Sequence, residues 1–205
     1  MIIIVDYGIG NQGSILNRLK RMSVEAAVSS KPEDIEEAEK LILPGVGYFA
    51  TGMENLRSYN LLPVLHQRVI VDKVPILGIC LGMQLFTQRS EEGNANGLGW
   101  IDAETIKFDV SEENNKLPVP HMGWNSIKVM TNSPIIANLP EGATYYFTHS
   151  YYVRCSDNVN IVATTHYGHD FTSIVQRDNI FGTQFHPEKS HQQGIALLQN
   201  FIRNA

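Results

Sequence analysis

The sequence lacks the features that mark secreted, membrane or nucleic-acid-binding proteins. It has only two cysteines in 205 residues, and its net charge is −5. No run of lysine and arginine occurs, which argues against a nucleic-acid partner. The apolar N-terminal run, Met1 to Val5, is too short for a signal-peptide core or a membrane span, so we expect no membrane partner. A chain of this length suits one globular domain over residues 1–205 with a sizeable core.

The sequence also lacks a recognisable metal or cofactor motif. None of its seven histidines belongs to an H-E-x-x-H pattern or a cysteine cluster, so we expect no metal. Gly8 to Gly13 spells G-x-G-x-x-G between a predicted strand and helix, which is the context of a dinucleotide-binding turn. However, Val28, Ser29 and Ser30 stand where such a site needs an acidic residue. A dinucleotide-binding oxidoreductase is therefore a disfavoured alternative, and no cofactor is expected.

Hydrophobic periodicity predicts an α/β fold with a mostly parallel central sheet, helices on both faces and an antiparallel β extension. Strands alternate with helices over the first ~90 residues, and strand follows strand after Gly93. The predicted helices are Ser14–Met22, Pro32–Lys40, Leu81–Arg89 and Gln192–Ile202. The predicted later strands are Trp100–Phe108, Asn125–Met130, Thr144–Arg154, Asn160–His166, Thr172–Arg177 and Ile180–Phe185.

Cys80 stands in a Gly-x-Cys-x-Gly segment at the junction of an apolar strand and a predicted helix. This is the layout of a nucleophile elbow, in which a strained turn exposes the reactive atom at the rim of a sheet. We expect Gly78 and Gly82 to permit sharp turns on both sides of Cys80. The N–H groups of the following helix would favour thiolate over thiol. A buried structural cysteine is the alternative.

His186 and Glu188 lie far downstream, separated by Pro187. In an extended chain, residues two apart project to the same side, and the proline favours that geometry. A histidine held by a carboxylate on one nitrogen can exchange a proton with a thiol through the other. Cys80, His186 and Glu188 therefore form a candidate catalytic triad, provided that the fold brings them together.

The second cysteine bears on the compartment. Cys80 cannot be both a free nucleophile and half of a disulfide, so the two cysteines indicate a reducing environment and a cytoplasmic location. Cys155 is interpreted as an ordinary packing residue.

Six segments together resemble class I, triad-type glutamine amidotransferases with a flavodoxin-like fold, and among them the family of glutaminase subunits of imidazole glycerol phosphate synthase. The segments are DYGIGN (6–11), LPGVG (43–47), GICLGMQ (78–84), PHMGWN (120–125), THSYY (148–152) and QFHPEKS (184–190). The resemblance implies hydrolysis of L-glutamine to glutamate and ammonia through a Cys80 thioester. The released ammonia would serve formation of imidazole glycerol phosphate and AICAR in histidine biosynthesis.

Such a reaction passes through oxyanions, which two backbone N–H groups must stabilise. Elbow geometry assigns one to Leu81, and the glycine-containing loop offers Val46 or Gly47 as the second. For substrate binding, the resemblance implies roles for Gln84 and Glu92, with main-chain contacts from Ser150 and Tyr151.

The resemblance also implies a partner, a (β/α)₈ cyclase subunit that receives the ammonia within a heterodimer. The positions in this sequence that match the family's interface are Asn11, Trp124, Tyr146 and Lys189. Two alternatives stay open. One is a paralogous subunit that supplies ammonia to a synthase of a cell-surface amidino sugar. The other is a catalytically silent regulatory subunit.

Overall fold

The computed structural model describes residues 1–109 and 117–205. Its helices are α1 (Gln12–Arg21), α2 (Pro32–Glu36), α3 (Phe49–Ser58), α4 (Leu62–His66), α5 (Leu81–Gln84) and α6 (His191–Asn204). Its strands are β1 (Ile2–Val5), β2 (Ala26–Ser29), β3 (Lys40–Gly45), β4 (Ile76–Cys80), β5 (Arg89–Ser90), β6 (Ala95–Asn96), β7 (Ala103–Lys107), β8 (His121–Ser126), β9 (Lys128–Val129), β10 (Thr144–His149), β11 (Tyr151–Cys155), β12 (Ile161–Tyr167), β13 (His169–Arg177) and β14 (Ile180–Thr183).

A large mixed sheet forms the centre of the molecule. Strands β2, β1, β3, β4 and β14 lie side by side and are parallel. Strands β13, β11 and β7 extend this run with antiparallel pairings, and β12 also pairs with β13. Strands β8 and β10 form a separate antiparallel pair. The expected parallel sheet with an antiparallel extension is therefore confirmed.

The core has two halves because side chains alternate across the sheet. In β1, Ile3 and Val5 face the helices α2 to α4, whereas Ile2 and Ile4 face α1 and α6. Near-continuous apolar strands such as Ile2–Val5 are buried on both faces, as expected of parallel strands covered by helices. This arrangement puts the carboxyl ends of β3, β4 and β14 at one edge, where sites of such folds form.

The helix after Cys80 is shorter than the predicted Leu81–Arg89. It ends at Gln84, and Arg89 and Ser90 instead form β5. The Thr87 hydroxyl donates to Gln84 O at 2.8 Å. This side chain thus provides a hydrogen bond to a carbonyl at the end of the helix. The partial positive charge that the N-terminus of α5 places near the sulfur is therefore that of a single helical turn.

The predicted strand Thr144–Arg154 is two strands in two different sheets. His149 pairs with His121 in the small sheet, and Tyr151 pairs with Lys107 in the large one. The chain changes sheets at Ser150. The alternation of residue types continues through this bend, so periodicity alone could not reveal it.

Two further predicted strands had wrong boundaries. Asn125–Met130 divides into β8, which begins earlier at His121, and the two-residue β9, which pairs with β12. Trp100 lies in a loop before β7, where its ring stacks on Phe86 at 5.4 Å between centroids. Packing of the aromatic ring outweighs the intrinsic strand preference of tryptophan.

Candidate active site

Cys80 occupies a strained turn at the end of β4. Its φ is +55° and its ψ is −110°, a conformation that side-chain-bearing residues rarely adopt and that concentrates at functional sites. The flanking glycines serve close packing and not the turn itself, contrary to our expectation. A Cβ on Gly82 would lie 1.8 Å from Leu43 O, and one on Gly78 would lie 2.5 Å from the Phe86 ring.

His186 and Glu188 lie at the exit of the neighbouring strand β14. His186 Nδ1 is 2.9 Å from Glu188 Oε1, and both side chains are buried. The His186 backbone N–H donates to Tyr146 O at 2.9 Å, and Ser190 Oγ donates to His186 O at 2.6 Å. These bonds hold the ring with Nδ1 against the carboxylate. The expected extended geometry was wrong, because Pro187–Lys189 form a 3₁₀ turn that brings the two side chains together.

Cys80 and His186 influence each other across the ends of β4 and β14. Burial of the imidazole opposes its protonation, but the neighbouring Cys80 sulfur and the Glu188 carboxylate outweigh it and raise the pKa of His186 to about 10. His186 Nε2 has no hydrogen-bond partner of good geometry within residues 1–109 and 117–205. Among the described residues, the Cys80 thiol has Thr148 O as a hydrogen-bond acceptor at 3.9 Å. The three candidate triad residues are thus neighbours.

A cleft of about 240 Å³ opens beside the sulfur. All of the residues that the sequence suggested for oxyanion stabilisation and substrate binding line it: Val46, Gly47, Leu81, Gln84, Glu92, Ser150 and Tyr151. These residues come from four separate segments of the chain, which meet at the carboxyl edge of the sheet.

The loop after β3 passes directly against the elbow. A Cβ on Gly45 would lie 2.6 Å from Leu81 Cβ and 2.8 Å from Gly82 N, so only glycine permits this approach. Gly47 has a φ of +137°, which also favours glycine. The buried Tyr7 hydroxyl donates to Pro44 O at 2.6 Å and fastens the start of the loop.

Gln84 and Glu92 are constrained differently from what the sequence suggested. Gln84 is buried, and its Nε2 donates to Tyr151 O at 2.9 Å and to Gln184 Oε1 at 3.1 Å, so both N–H groups already have protein acceptors. Glu92 accepts from the backbone N–H of Phe49 at 2.8 Å. Burial raises the pKa of Glu92, and that hydrogen bond partly opposes the shift.

Sequence reasoning missed two buried histidines at the site. His149 lines the cleft and accepts or donates at both ring nitrogens, with Nδ1 2.8 Å from Tyr151 O and Nε2 3.1 Å from His121 Nδ1. Because the carbonyl can only accept, Nδ1 of His149 carries the proton and Nε2 accepts from His121. Burial is the main cause that lowers the pKa of His149 to about 3 and that of His121 to about 4. Both lie in segments that carry the family resemblance, 120–125 and 148–152, and this was the signal that could have found them.

Three of the four residues matched to the family's interface, Trp124, Tyr146 and Lys189, form one surface cluster, and Asn11 lies apart from them. Trp124 is 48% exposed and stacks on His191 at 4.8 Å between centroids, with an interplanar angle of 6°. Lys189 Nζ lies 5.8 Å from the centroid of the Tyr146 ring, which contacts Trp124 edge-on. Asn11 is exposed at the start of α1, where its Oδ1 accepts from Ser14 N at 3.1 Å.

In the described residues, neither the glycine-rich turn at residues 8–13 nor the histidines form a second candidate site. Asp6 Oδ1 accepts from Gly8 N and from Gln12 Nε2, so the glycine-rich turn is closed by its own hydrogen bonds. No group of three potential metal ligands occurs in the part of the chain that the structure describes. Over the same residues, no helix is long and apolar enough to cross a bilayer. Cys80 and Cys155 are both free thiols.

The chain belongs to the class-I glutamine amidotransferase family, whose model matches residues 3–205. Solved structures share the fold at low identity. A glutamine amidotransferase matches with a TM-score of 0.75 at 20% identity over 98% of this chain and 97% of that one. The structure of PurLQS from Thermotoga maritima matches with a TM-score of 0.71 at 17% identity over 98% of this chain and 96% of that one.

More specific relatives share the entire length. The chain is 51% identical over 205 residues to imidazole glycerol phosphate synthase subunit HisH 2 of Methanococcus maripaludis, with 100% of both chains covered. It is 48% identical over 202 residues to HisH 2 of Pseudomonas aeruginosa, covering 98% of each chain. It is 44% identical over 204 residues to HisH 1 of Campylobacter jejuni, covering 99% of this chain and 100% of the relative.

Proposed function

We propose that this chain is the glutaminase subunit of imidazole glycerol phosphate synthase and hydrolyses L-glutamine in histidine biosynthesis. One observation carries the chemistry: a strained Cys80 opens onto a cleft beside the buried His186–Glu188 pair. The full-length similarity to proteins of that name supports the biological role. In this proposal, residues 1–205 form a single glutaminase domain.

The reaction starts from the Cys80 thiolate, whose proton is held on His186 Nε2, because the raised pKa of His186 favours the imidazolium. The thiolate attacks the side-chain amide carbon of glutamine, and the carbonyl oxygen becomes an oxyanion. The His186 imidazolium then gives its proton to the amide nitrogen, the C–N bond breaks and ammonia leaves. Water, deprotonated by His186, hydrolyses the remaining thioester to glutamate and restores the thiol. Glu188 stabilises the imidazolium and fixes its tautomer.

Both tetrahedral intermediates need donors for the oxyanion. The backbone N–H of Leu81 is the first candidate because it directly follows the nucleophile at the elbow. The second is Val46 or Gly47, on the loop that lies against Leu81 and Gly82. Glycine at 45 lets the chain lie against Leu81 and Gly82, and Val46 and Gly47 both line the cleft beside Cys80.

Glu92 would hold the amino-acid end of glutamine. Glu92 is the acidic side chain in the cleft, and a carboxylate there attracts the substrate's ammonium group. We assign Gln84 an indirect part, since its N–H groups bind Tyr151 O and Gln184. Ser150 and Tyr151 also line the cleft, and Tyr151 O already accepts from Gln84 Nε2 and His149 Nδ1.

The ammonia acceptor would be a (β/α)₈ cyclase subunit, bound as a heterodimer in the cytoplasm. Ammonia released into water becomes mostly ammonium, which is not a nucleophile, so delivery benefits from a dry path. The exposed cluster of Trp124, Tyr146, Lys189 and His191 is a suitable docking surface, with Asn11 as a further contact. Its partner would press against the chain segment that carries His186 and Glu188.

Labelling with a diazoketone analogue of L-glutamine tests the site. We expect a single covalent adduct on Cys80 when the cyclase is present, and none in Cys80→Ala. With its cyclase, the alanine variant should retain ammonium-dependent cyclisation and lose glutamine-dependent cyclisation. Wild-type chain that forms no Cys80 adduct with the cyclase bound would indicate the silent regulatory subunit instead.

A second candidate acceptor has a specific observation in its favour. Two of the relatives carry the numeral 2 in their names, which suits organisms with a duplicated subunit. The alternative is a paralogue that supplies ammonia to an amidino-sugar synthase. Rescue of a histidine auxotroph that lacks only its glutaminase subunit supports the histidine role, and failure of rescue by an expressed, glutaminase-competent chain favours the sugar synthase.

A further inference from the structure

Gln184 places a hydrogen-bond donor on the sulfur of Cys80. It directly follows β14, it is fully buried, and its Nε2 lies 3.7 Å from Cys80 Sγ. Its backbone N–H donates to Ser173 O at 2.9 Å, which anchors the residue to β13. The mechanism described above does not use this side chain, although a fully buried carboxamide next to a reactive atom needs a reason.

The orientation of the Gln184 carboxamide follows from its neighbours. Gln84 Nε2 contacts two acceptors, Tyr151 O and Gln184 Oε1. A flipped Gln84 would point its own oxygen at the Tyr151 carbonyl, so its NH₂ group must lie there. Gln184 therefore presents its oxygen to Gln84 and its NH₂ group to the sulfur. The direction of the N–H···S contact is fixed by this chain of bonds.

We propose that Gln184 is a further catalytic residue, whose carboxamide N–H stabilises the Cys80 thiolate. The inference rests on the proposed function, because it presumes that Cys80 is the nucleophile. A donor favours the anionic sulfur, whereas the Thr148 carbonyl at 3.9 Å can only accept and so favours the thiol. Gln84 and Tyr151 are positioning residues in this scheme, since they act through Gln184.

Within residues 1–109 and 117–205, several titratable groups lie near the sulfur, and among them Glu92 lines the same cleft and carries no positive charge. His186 with Glu188 behind it faces Cys80 from β14. Tyr7 faces it from the segment after β1, and burial followed by the charge of Cys80 raises the pKa of its phenol. His149 faces His186 from β10. Only His186 among them can supply positive charge, so a neutral donor adds a separate contribution.

A donor to the thiolate should leave a distinctive kinetic signature. It increases the fraction of thiolate at low pH but also makes the thiolate less nucleophilic, by a Brønsted coefficient of about 0.4–0.5. Loss of the donor should move the midpoint of the pH profile upward by about one pH unit, the scale of one hydrogen bond to a charged group. The variant would then react about threefold slower at low pH and about threefold faster at the high-pH plateau.

The experiment measures the rate at which iodoacetamide alkylates Cys80 between about pH 5 and about pH 10, by mass spectrometry of the Cys80 peptide. Gln184→Met removes the N–H at similar volume. Gln184→Glu keeps an oxygen acceptor for Gln84 and places negative charge by the sulfur, so its midpoint should move at least as far. Gln176→Met is the matched control, since Gln176 Nε2 bonds Asp178 O in the β13–β14 turn, away from the cleft. Cys155 is partly buried, so an increase of its labelling over that of wild type at the same pH reports a loss of folded structure.

We expect crossing profiles for wild type and Gln184→Met, with Gln176→Met superimposed on wild type. A Gln184→Met profile that coincides with wild type overturns the inference, as does one lowered equally at every pH. Should Gln184→Met expose Cys155, the Gln184→Glu profile decides by the same criteria. Wild-type Cys80 that resists alkylation throughout would overturn the proposed nucleophile itself. No glutamine turnover is needed, so the two failures are distinguishable.

Discussion

Glu188 Oε1 lies 2.9 Å from Nδ1 of His186, with both side chains almost fully buried. A buried carboxylate that faces an imidazole holds one tautomer and stabilises the protonated ring. Pro187 between them begins a short 3₁₀ turn through Lys189 that presents both side chains inward. The pair is therefore built by three consecutive residues and oriented by hydrogen bonds to β10 and Ser190.

Glu188→Gln should lower glutaminase kcat about 10²- to 10⁴-fold with little change in KM, because the amide cannot stabilise the imidazolium and allows the wrong tautomer. The measurement is steady-state glutamate release by the complex with its cyclase. Glu54→Gln, at an exposed position on α3, is the control and should keep wild-type rates. A variant in which kcat falls and KM rises by similar factors would instead indicate a structural role of Glu188.

The stability of the fold should fall on the acid side of about pH 6.5. Burial depresses the pKa of His149 to about 3 and that of His121 to about 4, so between these values and 6.5 the unfolded chain binds protons that the folded chain does not. Each such proton weakens the free energy of unfolding by about 1.4 kcal/mol per pH unit. Urea unfolding at several pH values measures the slope.

His121→Asn should reduce the dependence of the free energy of unfolding on pH below about 6.5, because it removes one of the two groups that bind a proton only in the unfolded chain. His66→Asn, on the surface end of α4, is the matched control and should leave the slope unchanged. An unaltered slope in the His121 variant would mean that the imidazole is protonated in the folded state.

His186 should produce the opposite dependence at higher pH. Its pKa is raised to about 10 in the folded chain, so its protonated form contributes stability that is complete below about 6.5 and is lost as the pH rises through about 10. His186→Gln should therefore be destabilised relative to wild type at pH 6.5 and approach it near pH 10. Denaturant midpoints of both proteins across this range provide the test, and a constant difference would contradict it.

Gly82→Ala should destabilise the protein by about 3 kcal/mol or abolish folding, since the new Cβ would lie 1.8 Å from Leu43 O and the backbones of β3 and the elbow must separate. Gly13→Ala is the matched control. Gly13 lies in α1, and nothing lies within 4 Å of the position that a Cβ would occupy there, so alanine should stabilise that helix by about 0.5–1 kcal/mol. Thermal unfolding of both variants measures the contrast.

If the proposed docking surface is correct, Trp124→Ala should weaken binding of the cyclase about tenfold or more, because exposed aromatic side chains often dominate the binding energy of interfaces. Its ring stacks on His191, so the variant also loses the support of that neighbour. Calorimetric titration with the cyclase measures the affinity. Val159→Ala removes an exposed apolar side chain elsewhere and should bind normally, whereas equal affinity for the tryptophan variant would remove this cluster from the interface.

Several features were set by local sequence and could be predicted. The apolar run before Cys80 forms β4, and the nearness of His186 to Glu188 in sequence made them a candidate pair, although a 3₁₀ turn and not an extended chain brings them together. Alternating strands and helices gave the parallel sheet because burial on both faces leaves near-continuous apolar strands. These features depend on residues within a few positions of one another, which is the range over which periodicity and turn chemistry act.

Other features exist only in the folded chain. Cys80 has a positive φ at an elbow where Gly82 packs against Leu43 O. No sequence pattern indicates that the chain changes sheets at Ser150. Nor does any pattern link His149 to His121 or Gln184 to Cys80, which are in contact only in the folded chain. Sequence alone determined which residues could perform the chemistry. Tertiary structure decided which atoms meet, because contacts between distant segments depend on the packing of the whole sheet.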